Sequence, residues 1–227
     1  MKSFIRNLSP RGEAILVILI CFGLGIGALR IASHLSPNAP RYGHFNDHML
    51  IGVVIYELLV LALVFLWIGR LRGWSFATFG FEISWKWTGV GLLLFALTVL
   101  VFILGQVIHP AAMTSGLKAG QITLPIIIIN SITNGVFEEM MEVGYVFRAV
   151  QRYGVWAAIL VSALIRAFLH VHLGIVGIAE VFVIGIIYGL VYKRWRQLWP
   201  LIVAHSLMDL ISLSYLAHHA SLIIKAG

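Results

Sequence analysis

The stretch ITLPIIIINSITNGVFEEMMEVGYVF, Ile122–Phe147, is longer than the ~20 apolar residues that cross a bilayer, yet it carries Glu138, Glu139 and Glu142. An apolar run of this length reads as a membrane helix, and carboxylates inside it must face protein or water rather than lipid. The rest of the chain agrees. Of its 227 residues 60% are hydrophobic and 11% charged, whereas soluble domains carry about a quarter charged residues. Too few polar side chains exist to cover a core against water, so the apolar excess faces lipid. The expected fold is all-α, a polytopic transmembrane helix bundle.

Six further runs have span character: about Ala14–Ser33, Met49–Ile68, Trp87–Ile108, Val155–His172, Ile175–Tyr192 and Trp199–Leu216. The first is too long for a signal peptide and lacks a clear cleavage site, so it reads as a signal anchor that stays. That makes about seven spans, with the links at Arg148–Gly154 and Gly174 short enough to accommodate a broken or re-entrant helix. Arg70–Trp85 mixes aromatic and charged residues in the manner of an interfacial segment. No repeat or flexible linker divides residues 1–227, which read as one membrane domain. Lone Cys21 supports no disulfide. The net charge of +7 sits between the apolar runs, a mark of topology and not of nucleic-acid binding.

Arg166 is the basic residue left inside a span, and other ionisable groups accompany it: His170 on the same run, Glu180 on the next, His205 and Asp209 on the last. Each charge at mid-bilayer costs roughly 2.5–3.5 kcal/mol on insertion scales, so these groups face one another or a water-filled cavity. Glu138 and Glu142, Arg166 and His170, and His205 and Asp209 are i,i+4 pairs, each on one helix face. A carboxylate and two imidazoles around water can act as general base and hold an oxyanion. Glu138, His170 and His205 could equally ligate a divalent metal such as zinc. Glu142 lies about two turns from Arg148 near the membrane edge, so a cytoplasm-facing or structural role fits it as well as a catalytic one. Glu180 and Glu57 read more readily as structural, with a substrate-channel role open for Glu57. His172, His218 and His219 read as loop or tail, and Gly185 with Gly189 as a close packing seam. H-E-x-x-H and G-x-S-x-G are both missing, and Asp47 and Asp209 are the only aspartates, so glutamate–histidine chemistry remains.

At these residues the sequence resembles the CPBP family of intramembrane proteases, named for CAAX prenyl proteases and bacteriocin processing and also called Abi. The resemblance rests on FEEMMEVGYVFR (Phe137–Arg148), SALIRAFLH (Ser162–His170) and WPLIVAHSLMD (Trp199–Asp209), with GIIYGLVYKRW between the last two. It covers about Ile122 to Leu216 and implies a catalytic core at 121–216, with residues 1–120 supplying spans of unassigned role. It implies a membrane endopeptidase in which Glu138 activates water beside His170 and Glu139 supports it. His205 would stabilise the oxyanion or bind metal with its neighbour Asp209. The partners implied are membrane lipid and a peptide or protein substrate, with no nucleic acid; in a bacterium the plasma membrane would house it. Two positions depart from the pattern: Val143 stands where the family has Arg, and Asp209 where it has Asn. Arg166, one turn before His170, is the candidate replacement cation. A non-catalytic binding, immunity or scaffold protein and a proton-coupled transporter are the competing readings, although no inverted repeat supports the latter.

Orientation follows from the basic residues. With the N-terminus inside, Lys2, Arg6, Arg11, Arg70, Arg72, Lys86, Arg148, Arg152, Lys193, Arg194 and Arg196 are cytoplasmic, against Arg30, Arg41, Lys118 and Lys225 outside. Reporter fusions should place the N-terminus in the cytoplasm and the C-terminus outside. Both termini on one side would remove a span.

Overall fold

The computed structural model describes residues 9–23, 44–108 and 118–226. The second half of the first predicted span, much of the Pro110–Gly120 loop and the side chain of His172 lie outside the described residues. The described chain is helical apart from a two-residue parallel bridge between β1 (His44–Phe45) and β2 (Lys118–Ala119). Helix α1 (Pro10–Ile18) starts where Ser9 Oγ accepts the Gly12 N–H and proline occupies the first turn, then widens into a π turn at Leu19–Gly23. There follow α2 (Asp47–Arg72), α3 (Trp85–Ile108), α4 (Leu124–Glu138), a π turn at Glu139–Tyr145, α5 (Val146–Val150), α6 (Val155–Leu169), α7 (Gly174–Trp195) and α8 (Trp199–Ala226).

Among the described residues, four helices are long and apolar enough to cross a membrane: α2, α3, α7 and α8. The stretch predicted as the fourth span forms one unbroken run, α4 through the π turn into α5. The fifth predicted span is shorter than the sequence suggested. Its 15 residues rise about 22 Å, less than the ~30 Å hydrocarbon thickness. His170 caps it, a 3-10 turn at Val171–Leu173 follows, and Gly174 at φ 74° redirects the chain into α7.

The helices close around the π turn. Helix α4 packs between α2 and α8, α8 also lies on α3, α7 lies between α3 and α6, and α6 returns onto α5 and the π turn. Residues Glu139–Phe147 are consequently all buried. An ordinary amphipathic helix buries one stripe; this segment is surrounded. Outward faces present Leu58, Leu59 and Leu63 on α2, and Leu93, Ile103 and Val107 on α3, as helices in lipid do.

Lipid tails match apolar side chains, so close van der Waals approach holds such helices together, and small residues permit it. Gly135 on α4 lies against Ser206 and Ile202 of α8, and Gly91 on α3 against Val203 and Pro200. Gly185 and Gly189 on α7 face Ala163 and Ile159 of α6, the seam that their spacing predicts.

The Arg70–Trp85 segment is interfacial only in part. Ile83 and Trp85 are exposed, but a 3-10 turn at Phe76–Phe79 drives Phe79 into the core, where it is 1% exposed. Phe79 and Leu198 lie over Gly144 of the π turn. Gly80, at φ 73°, abuts the Arg196 carbonyl, the Leu198 N–H donates to Gly80 O at 2.9 Å, and Tyr192 Oη donates to Phe79 O at 3.1 Å. This plug closes one end of the bundle.

A Cβ at Gly135 would meet Ser206 N and Ile202 O, backbone atoms that cannot swing away. Gly135→Leu should therefore cost about 1–3 kcal/mol, measured as a lower Tm in detergent. Gly52, on α2, has nothing within 4 Å of a built Cβ, so Gly52→Leu should leave Tm unchanged.

Candidate active site

The α4–α8 contact at Gly135 decides which polar groups meet. One turn beyond it on α4 come Glu138 and Glu139, and opposite stands His205 of α8. His205 Nδ1 lies 2.6 Å from Glu139 Oε1. Arg166 Nη2, from α6, donates to the same Glu139 oxygen at 2.5 Å and lies 2.8 Å from Glu142 Oε2. The Glu142 contact is an ion pair lying off the line of a good hydrogen bond. Glu139 and Glu142 are fully buried and Arg166 is 3% exposed, so one guanidinium serves two carboxylates out of reach of bulk solvent.

Arg166 is itself braced. Its Cζ sits 5.1 Å from the centroid of the Tyr188 ring, and Tyr188 Oη is 3.3 Å from Thr98 Oγ1 on α3. Thr98 Oγ1 in turn donates to Leu94 O. The cation therefore bridges α6, α7 and the π turn.

These contacts fix the His205 ring. A Glu139 carboxylate accepts and does not donate, so Nδ1 carries a hydrogen. The 3.3 Å approach of Arg166 Nη1 to that nitrogen is then donor against donor. The 2.6 Å bond outweighs it. Nε2 points to a second set of groups: Asn134 Nδ2 at 3.4 Å, Asp209 Oδ2 at 3.6 Å and Glu138 Oε2 at 3.7 Å. Asn134 Nδ2 also donates to Asp209 Oδ2 at 2.8 Å. The distances around Nε2 exceed good hydrogen-bond length, which suits a site that water or a substrate oxygen enters.

Glu138 and Glu139 are neighbours with opposite situations. Glu139 is locked into Arg166 and His205. The Glu138 side chain is 13% exposed and its Oε2 has no hydrogen-bond partner in the protein. His170, at the C-cap of α6, donates from Nδ1 to Arg166 O at 2.9 Å, which leaves Nε2 as its acceptor. It lies within electrostatic range of Arg166, His205 and Asp209.

The structure brings together Glu138, Glu139, Arg166, His205 and Asp209, with His170 bonded to the Arg166 carbonyl at the end of α6. Glu142 differs from its expected place near the membrane edge: it is fully buried, and the cation-sharing pair is Glu139 with Glu142, not the i,i+4 pair Glu138 and Glu142. Glu57 of α2 is 4% exposed, with Oε2 unpaired, and Glu138, Asp209 and His205 are its charged neighbours. Glu180 stands apart, against Gly105 of α3. Asn134 went unnoticed in the sequence, although Asn130, Asn134 and Glu138 form an i,i+4 polar stripe along α4 that signals it.

The zinc set Glu138, His170 and His205 does not assemble. Among the described residues no three His, Cys, Asp or Glu side chains converge closely enough to hold a metal ion. His205 Nε2 remains 3.7 Å from Glu138 Oε2. No step is therefore derived through a metal.

Residues 120–211 match the family model described as type II CAAX prenyl endopeptidase Rce1-like. The match is to the CAAX protease family that the three motifs resemble. No curated relative and no solved structure matches the chain. At the family level the match supports a CAAX-type intramembrane protease, a hydrolase, and with the four membrane-capable helices it supports an integral membrane protein.

Removing Arg166 would leave two carboxylates in a dry interior. Breaking a buried pair from one side typically costs about 3–5 kcal/mol. Arg166→Leu should lower Tm sharply in detergent, and Arg166→Lys should recover only part of it, because one ammonium does not reproduce the guanidinium fork. An unchanged Tm in Arg166→Leu would show that the ion pair carries no stability.

Proposed function

We propose that this protein is an intramembrane endopeptidase that hydrolyses a peptide bond of a membrane-associated protein or peptide with water activated by Glu138 and His170. The observation that carries this reading is the division of labour between two adjacent carboxylates. Glu139 is fully buried and its Oε1 is shared by Arg166 and His205, while the Glu138 side chain is 13% exposed, makes no hydrogen bond through Oε2 and faces the same imidazole across 3.7 Å. A general base needs that reach to a water, and a supporting acid needs that immobility.

In this mechanism Glu138 Oε2 takes a proton from the attacking water, and His170 assists from the C-cap of α6. The water oxygen attacks the scissile carbonyl carbon, and the carbonyl oxygen gains negative charge. A protonated His205 ring, with Nδ1 donating to Glu139, offers Nε2–H to that oxyanion. Glu138 then passes its proton to the leaving amine as the C–N bond breaks. The low-dielectric surroundings strengthen each of these contacts. Arg166 acts indirectly, by fixing Glu139 and through it His205, and so fills the role that an arginine at position 143 has in the family pattern. A purely binding or scaffold protein would not require one carboxylate of the pair to be left open.

Purified protein in liposomes, presented with a library of membrane-associated peptides, should release new termini. Glu138→Gln keeps the shape but loses the basicity, so cleavage should fall about 100- to 10,000-fold with Tm essentially unchanged. Near-normal cleavage by that variant would exclude Glu138 as the base. Binding of peptides without cleavage by the unaltered protein would favour the scaffold reading.

A further inference from the structure

Around His205 Nε2 the geometry poses a problem that the catalytic reading alone does not solve. Asp209 lies one helical turn from His205 on α8, with Oδ2 3.6 Å from Nε2. A carboxylate this close is the natural acceptor for an Nε2–H. A small rotation would close the gap, and the nitrogen would then be lost to any substrate oxygen. The same Oδ2 is instead held at 2.8 Å by Asn134 Nδ2, from across the α4–α8 contact. Asn134 Nδ2 also stands 3.4 Å from Nε2, so the amide sits at the corner where Asp209, His205 and Glu138 meet. Of the groups there, Asn134 is the one that carries no charge and can donate to an anion without holding a titratable proton.

We propose that Asn134 is a positioning residue: its amide restrains the Asp209 carboxylate and keeps His205 Nε2 open to the reacting oxygen. It rests on the catalytic reading of Glu138 and His205. The interaction needs one amide and one carboxylate facing each other across two helices, and it is indifferent to which helix bears which. Gly135, next to Asn134, makes this reach possible by letting the α8 backbone come close.

That indifference supplies the test. Asn134→Asp sets two carboxylates against each other and should reduce kcat at least 100-fold with little change in KM. Asp209→Asn keeps an amide–amide hydrogen bond and should stay within about tenfold of the unaltered protein. The double variant Asn134→Asp/Asp209→Asn restores the pair with donor and acceptor exchanged, and should recover at least tenfold over Asn134→Asp alone. Asn134→Leu, which introduces no charge, should also lower kcat at least tenfold with little change in KM. Equal kcat in the double variant and in Asn134→Asp, or normal kcat in Asn134→Leu, would overturn the proposal.

Tm measured on the same four proteins keeps this separate from the catalytic reading. If no protein cleaves, non-additive Tm changes in the cycle, with the exchange recovering the loss in Asn134→Asp, still establish the pair, and the failure is that of the protease reading. Additive Tm changes would overturn the pair itself.

Discussion

One cation in a dry place organises this protein. Arg166 reaches the π turn from α6 and pairs with Glu139 and Glu142, all three buried from bulk solvent. Two carboxylates without it would repel each other in a medium where charge is costly to bury. Its stem and plane are held by Tyr188 of α7, and Tyr188 is held by Thr98 of α3. Four separate helical elements are thereby registered against one guanidinium. His205 acquires its orientation second-hand, through the oxygen of Glu139 that Arg166 also holds.

This arrangement explains how a site can have both rigid and open parts. The rigid part is Arg166, Glu139, Glu142 and the Nδ1 edge of His205, where contacts are short and exposure is nearly nil. The open part is Glu138, the Nε2 edge of His205 and Asp209, where separations lengthen to 3.6–3.7 Å. Preorganised polar groups cost little to rearrange at the moment of reaction, and here the rigid side aims the open side. The missing arginine at Val143 fits the same scheme. Val143 is fully buried, and the positive charge beside Glu139 and Glu142 comes from Arg166 on a different helix.

The helices were legible in the sequence because apolar length is a matter of composition, and α2, α3, α7 and α8 appear close to where the apolar runs put them. The ionisable members of the cluster were legible for a related reason, since charges in a span stand out by their insertion cost. Rotation about the helix axis was less so. The π turn changes the phase between Glu138 and Glu142, so a rule of four residues pairs the wrong two acids. Asn134 escaped notice because a neutral amide is cheap in a span and raises no alarm. Glu57 was read as structural because nothing in a linear sequence brings α2 to α8; only the packing of both on α4 does.

Irregular backbone and buried charge coincide here, and each accounts for the other. Within a bilayer a widened or broken helix survives only where protein or enclosed water satisfies its polar groups. The π turn at Glu139–Tyr145 is wrapped on every side, and the premature end of α6 at His170 is closed by that residue's own bond to the Arg166 carbonyl. A regular α6 long enough to span would carry the chain on past His170 along the same axis. Ending it there turns His170 back toward Arg166 and its neighbours. The wrapping is not confined to the segment that matches the protease family. Phe79 covers the π turn, Thr98 anchors Tyr188, and Glu57 adds a carboxylate beside Glu138 and Asp209, all from residues before 120. The N-terminal helices are therefore part of the cluster's dielectric and its charge balance, and residues 120–211 in isolation would expose to lipid polar groups that the full chain buries.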